Sequence, residues 1–179
     1  MIKIADNIEL KEVSDSDAEF LFRLMKEIYT PAYQHFWTDN GDWYINSQYS
    51  KENITKELLD EKARYYFILF NNKIVGNFRF IWDDNLKGLP EEKQVKLHRI
   101  YLHPKTQGNG IGKLLLAWLE EKAKQKDYQI IWLDAMNEQQ NAFQFYKKLG
   151  YTYYSHIFLP FDLMHESVRK MSQVYKQLM

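Results

Sequence analysis

The sequence predicts one mixed α/β domain over residues 1–179, with six to seven strands and about four helices. Three observations carry that expectation. Short apolar runs of period two alternate with longer segments of helical period. Two of the strand-like runs are joined by an asparagine turn of the hairpin type. No low-complexity tract, repeat or linker interrupts the order β-α-α-β-β-β-α-β-α-β-β.

Each element has a local reason. Ile8 to Val13 (IELKEV) alternates apolar and polar residues, as a half-buried strand does. Ser14 and Asp17 have capping-box spacing, and the helix after them places Phe20, Leu21, Leu24 and Ile28 on one face. Pro31 is expected to stop it, because proline pushes the preceding residue out of the helical region. Residues 32–48 lack a clean period and read as a loop with short helical turns. Ser50 to Glu61 reads as a second helix. RYYFILF and IVGNFRFIW, separated by Asn71-Asn72-Lys73, read as a hairpin, since asparagine tolerates positive φ. After the loop DDNLKGLPEEK, Val95 to Leu102 forms the next strand. The helix opening at 111 aligns Ile111, Leu115, Trp118 and Leu119, with Glu120 and Lys124 expected to pair on its exposed side. Gln129 to Ala135 is a strand, Asn141 to Leu149 a helix with Gly150 as its C-cap, and Tyr151 to Phe158 and Lys170 to Lys176 close the set.

Composition narrows the function. The 24 basic and 24 acidic residues cancel, so no net field draws nucleic acid or an anionic membrane. The absence of cysteine excludes disulfides, a thiol nucleophile and a cysteine zinc site, and fits a reducing compartment. The five histidines lack metal-ligand spacing, so no metal is expected. The opening MIKIADNIEL is broken by Lys3, Asp6 and Glu9 and is not read as a leader, and a cytoplasmic location is expected. Tyr65 to Phe70 is too short to span a bilayer. Aromatic residues make up 16% of the chain; most are expected in the core, as the largest apolar bodies available, and a few along a pocket.

The chemistry-bearing stretch is QGNGIGKLLL, residues 107–116. Glycines 108, 110 and 112 stand at the mouth of a helix, where unpaired N–H groups and the positive end of the helix dipole favour a phosphate. Lys113 adds charge. The P-loop pattern fails, because Gln107 replaces its first glycine and Leu114 its hydroxyl residue. The dinucleotide fingerprint fails because Lys113 stands where its third glycine belongs. The pattern that fits is Q-x-x-G-x-G, formed by Gln107, Gly110 and Gly112, after a strand ending in His-Pro. A second block, NAFQFYKKLGY (141–151), matches A-x-x-x-Y-x-K-x-G-[FY] on the helix after the next strand. With both blocks in this order, residues 64–158 resemble the GNAT N-acetyltransferase superfamily, and the general layout is loosely similar to bacterial spermidine/spermine acetyltransferases.

That resemblance implies a mostly antiparallel sheet whose central strands splay apart to admit the pantetheine of acetyl-CoA. It implies an enzyme that moves the acetyl group to a primary amine by direct attack. On it, Gln107, Gly108, Asn109, Gly110, Ile111, Gly112 and Lys113 hold the pyrophosphate without a metal. The backbone of Ile100, Tyr101 and Leu102 runs along pantetheine, with the Leu102 N–H as oxyanion donor. Gln139 stands where the family commonly has an asparagine that contacts the cofactor; either Asn141 takes over that contact or it is made to main chain only. Tyr146 protonates the leaving thiolate. The family's usual glutamate position is Lys96, so His98 is the expected base, on the same strand face as Lys96 and Ile100. Phe36, Trp37, Trp43 and Tyr44, with Asp39 and Asp42 nearby, are expected to receive a cationic amine such as a polyamine. The partners expected are this small amine and, as an open alternative, a second copy of the chain; nucleic acid and membrane are not expected. A CoA-binding regulatory or interaction module without catalysis is the alternative reading, and a nucleotide-binding protein a third.

Overall fold

The computed structural model describes residues 1–91 and 93–178, so Glu92, in the expected loop 83–93, and Met179 lie outside the described residues. Eight strands form a single sheet: β1 (Ile2–Ala5), β2 (Ile8–Glu12), β3 (Ala63–Phe70), β4 (Lys73–Trp82), β5 (Gln94–Leu102), β6 (Ile130–Met136), β7 (Thr152–Phe158) and β8 (Lys170–Gln177). Their order across the sheet is β1-β2-β3-β4-β5-β6-β8-β7. Five helices flank it: α1 (Ala18–Tyr33), α2 (Asp42–Gln48), α3 (Lys51–Leu58), α4 (Ile111–Gln125) and α5 (Gln140–Lys148). Every neighbouring pair is antiparallel except β5 and β6.

One strand and one helix exceed the sequence expectation. β1 pairs with β2 through Ile2↔Leu10 and Lys3↔Glu9; at four residues it is too short to display a period. α2 begins after Gly41, with φ +85°, and is anchored by Asp39, which accepts from the N–H groups of Gly41 at 3.0 Å and Trp43 at 2.7 Å. Pro31 does not stop α1, which continues to Tyr33. Proline in the last turn forfeits only the bond to the Glu27 carbonyl, on the exposed face, while Gln34 N–H still closes onto Thr30 C=O. α3 ends at Leu58 rather than Glu61, where Asp60 turns the chain by accepting from Lys62 N–H at 3.0 Å.

The two sheet faces bury separate cores, because β3 and β4 are covered on both sides. Tyr66, Ile68, Phe78, Phe80, Val95, Leu97, Ile131 and Leu133 pack with Leu115, Leu116 and Leu119 of α4. Tyr65 and Phe67, on the alternate face, pack with Leu21, Leu24, Met25 and Ile28 of α1 and with Ile54 of α3. Glu120 is drawn away from the expected Lys124 and pairs with Lys176 of β8 at 2.7 Å, a partner that only the folded sheet brings near. Gly150 closes α5 as expected, with φ +90° and the paired bonds Gly150 N–H to Lys147 C=O and Tyr151 N–H to Tyr146 C=O, both 3.0 Å.

Candidate active site

The site begins where one pair of strands parts. β5 and β6 are in register from Gln94↔Ile130 to Leu97↔Leu133 and separate beyond that point, leaving His98–Leu102 and Asp134–Met136 on the arms of a fork. On its other side β5 is bulged: Arg79 faces Arg99 and Phe80 faces Leu97, so His98 is the extra residue. Gly76 lets β4 follow the bend, because a Cβ there would lie 2.0 Å from the Tyr101 carbonyl oxygen.

A cleft of about 270 Å³ occupies the fork. Its walls come from α1 (Tyr29, Tyr33), the following turn (Phe36), α2 (Tyr44, Gln48), both arms, α5 (Ala142, Tyr146) and the segment carrying Leu159, Phe161 and Met164. That segment is held across the opening by backbone bonds: Thr38 N–H to Leu163 C=O at 2.8 Å and His165 N–H to Phe36 C=O at 2.9 Å.

At the far end of β5 lies the glycine loop. A 3-10 turn, Pro104–Thr106, leads into it, and Gly108 and Gly110 take φ +84° and +73°. The first intrahelical bond of α4 runs from Leu114 N–H to Gly110 C=O at 3.1 Å. The N–H groups of Ile111, Gly112 and Lys113 therefore precede the ladder and are free to donate outward. A Cβ built on Gly108 or Gly110 meets nothing within 4 Å, so the loop borders open space rather than packed atoms. Gly112 lies against Phe145 of α5, whose ring tip would be 3.4 Å from a Cβ there. An open, donor-rich turn at a helix N-terminus fits a diphosphate. The main-chain N–H groups of residues 111–113 and the Lys113 side chain are the donors such a group would meet; among the described residues no group of three or more His, Cys, Asp or Glu is placed to bind a metal.

Tyr146 lines the cleft one helical turn after Ala142, its ring 5.7 Å from that of Tyr151. Burial, then the neighbouring Tyr33, push its phenol well above the ordinary tyrosine value, so it keeps its proton. His98 also lines the cleft, but its Nδ1 lies 2.7 Å from Nη1 of Arg79. Arginine only donates, so Nδ1 is an acceptor and Nε2 carries the hydrogen. Burial, then the cations Arg99, Arg79 and Lys96, pull the imidazole from 6.5 to about 2. A group in that state suits a neutral donor rather than a proton acceptor near neutrality. The bulge also removes the expected alternation: His98 meets Arg79, whereas Ile100 packs into the core beside α4.

Behind this wall lies a charged network the sequence did not suggest. Glu57 of α3 receives Arg99, and Nε of Arg79 stands 3.8 Å from it; Asp60 lies 3.8 Å from Nη2 of Arg79. Arg99 also stacks on the Tyr49 ring at 4.8 Å and donates to Gln48 at 3.3 Å. Lys96 bridges the fork to Asp134 at 3.0 Å and lies over Trp132 at 4.3 Å.

The expected residues divide by position. Ile100, Tyr101, Phe36 and Tyr44 line the cleft. Leu102 packs against the core beside Gly76, and Asn141 faces solvent while Gln139 and Ala142 face the cleft. Trp37 is buried, donating to the Tyr29 hydroxyl at 3.0 Å. Trp43 is partly exposed and tilts against Phe161 at 5.1 Å, outside the lining. Asp39 is spent as the α2 cap, and Asp42 is exposed. Asp134 was missed; its one sequence signal is a lone acid within the strand QIIWLDA.

A parallel pair forked beside a glycine turn, in a mixed sheet, is an arrangement that comparison with known proteins assigns to a family. Residues 22–151 match the model of the Acetyltransferase (GNAT) family, and the chain belongs to that family as an acyl-CoA-dependent N-acyltransferase. It is 29% identical over 150 residues to the spermidine N(1)-acetyltransferase of Thermoplasma acidophilum, covering 81% of this chain and 88% of that protein. It is 23% identical over 143 residues to the aminoalkylphosphonate N-acetyltransferase of Salmonella typhimurium, covering 80% and 84%. Among solved structures, the PaiA N-acetyltransferase of Thermoplasma acidophilum in complex with coenzyme A superposes with a TM-score of 0.72 at 20% identity, covering 95% of this chain and 98% of that one. No helix among the described residues is long and apolar enough to cross a membrane.

Proposed function

We propose that this chain acetylates the primary amine of a small molecule, using acetyl-CoA in a single direct transfer. The observation that carries the reading is the fork itself. The glycine turn follows β5, with Gly112 against Phe145 and Ile100, and Ile100 in turn lines the cleft together with Tyr146 and the tyrosines. Bound acetyl-CoA contributes an acetyl group activated as a thioester, which the amine attacks directly. Main-chain donors at 108–113 and Lys113 hold the diphosphate, and the arms of the fork receive pantetheine. Holding both substrates in one cleft supplies proximity. The ammonium gives one proton to water before attack and a second as the carbon–nitrogen bond forms. Tyr146 gives its phenolic proton to sulfur as the carbon–sulfur bond breaks, and then regains a proton from water.

The residues near the reacting centre suit this division. Tyr146 stays protonated and donates to a thiolate whose conjugate acid lies near ~8.5, an uphill transfer that limits its contribution to about 10²-fold. His98 presents a hydrogen-bond donor to the cleft. Tyr29, Tyr33, Tyr44 and Tyr101 surround the acceptor end, with Tyr29 stacked on Tyr33 and Tyr44 at 4.6 Å. Such walls favour an ammonium group. Relatives that act on spermidine and on an aminoalkylphosphonate show amines as acceptors elsewhere in the family and leave the body of this acceptor open.

The test is thiol release from acetyl-CoA with a panel of primary amines. Turnover with at least one amine is expected. A protein that binds coenzyme A yet turns over none would instead be a cofactor-binding module, a reading that Lys96 in place of an acid and the neutral His98 would then favour.

A further inference from the structure

We propose that Asp134 is the acceptor-binding carboxylate, and that the acceptor carries one ammonium group rather than several. The inference rests on the acetyltransferase reading and narrows it. Asp134 is the first residue of β6 beyond the last paired position of the fork, opposite His98 of β5. It is the one carboxylate among the described residues that line the cleft. Its side chain keeps 18% of its surface exposed, facing the cavity. Both oxygens are aimed by neighbours: Oδ1 accepts from Gln173 Nε2 at 3.2 Å, and Oδ2 lies 3.0 Å from Lys96 Nζ. A carboxylate has about four lone-pair sites, so two partners leave room for an incoming ammonium. Lys96 has a second place to rest its charge, over the Trp132 face, and can yield part of Asp134 to a ligand.

The charge balance sets the acceptor class. Lys96 and Arg99 also line the cleft, and the acids that answer the buried arginines, Glu57 and Asp60, lie behind the wall. A first ammonium at Asp134 replaces the partial hold of Lys96. A second, a few carbons away, meets Lys96 or Arg99 with no unspent carboxylate among the lining residues. A monoamine whose apolar or polar body rests among the tyrosines avoids that repulsion, and a polyamine does not.

Two variants and one pair of acceptors test this. Asp134→Asn should raise the amine KM about tenfold or more, the scale of a lost charged hydrogen bond, while the acetyl-CoA KM stays within about twofold. Lys96→Met should lower the amine KM, because it frees the carboxylate. Titrating amine into the protein saturated with coenzyme A should give the same order of Kd values without turnover. If Lys96→Met raises the amine KM as much as Asp134→Asn does, the pair is only a strut across the fork and the proposal is overturned. Should Asp134→Asn not fold, the native protein still decides the matter. Propylamine should exceed 1,3-diaminopropane in kcat/KM by about tenfold; the reverse order would overturn the inference. Turnover that is indifferent to Asp134 defeats this inference alone, whereas no turnover with any amine defeats the acetyltransferase reading and this one with it.

Discussion

Tyr146 and His98 face the same cleft, but their surroundings set opposite tasks. Tyr146 has no charged partner and keeps its proton because burial disfavours the phenolate. Tyr146→Phe is therefore expected to lower kcat about 10²-fold and leave coenzyme A affinity unchanged; an undiminished kcat would remove the residue from proton transfer. For His98 the consequence is a pH dependence of stability. Its folded value of about 2 lies below the ordinary 6.5, so the unfolded chain takes up a proton that the folded one refuses. The stabilisation is complete above about pH 6.5 and declines as pH falls toward 2, at up to about 1.4 kcal/mol per pH unit. His98→Gln keeps an acceptor for Arg79 and should flatten denaturant stability between about pH 6.5 and 5; an unchanged slope would show that the imidazole is not held neutral. The position of Tyr146 in the cleft was legible because its block of neighbours is local in sequence. The state of His98 was not, since Arg79 reaches it across a strand pair, and Asp134 acquires meaning only from Lys96 and Gln173 on neighbouring strands.

At the scale of elements, the bend in β4 and β5 makes the fork. Gly76 occupies the point where the two backbones come nearest, and a methyl group there has no path but into the Tyr101 carbonyl. Gly76→Ala should cost about 2 kcal/mol or more of stability and should reduce coenzyme A affinity together with it, since Tyr101 lies on the arm beside the cleft. A variant as stable as the parent would mean that the strands can separate there freely. Most elements could be read from the sequence, because β2 to β8, α1, α4 and α5 each carry a period or a cap of their own. The four-residue β1 is too short for a period, and α2, about two turns long, is fixed by the Asp39 side chain rather than by an apolar stripe. Pro31 shows the opposite limit: a local breaker was tolerated because packing of Ile28 and Tyr29 before it and Tyr33 after it holds the helix across the single bond lost.

For the whole molecule, the account reduces to one assembly. The one parallel pair parts where β5 is bulged, the opening is lined by a protonated tyrosine and an aromatic wall, and the glycine turn follows at the end of β5. The glycine turn and the order of elements along the chain were legible because each carries a pattern of spacing. The position of the aromatics was half legible: Phe36 and Tyr44 reach the cleft, while Trp37 and Trp43 pack around it, a distinction made by tertiary packing alone. The most direct measurement is calorimetric titration of coenzyme A into the native protein and into the Gly108→Ala, Gly110→Ala double variant. One coenzyme A per chain, with affinity falling at least about tenfold in the variant as methyl groups enter the phosphate cradle, is the predicted result. No binding to the native protein, or equal binding to both, would contradict the account.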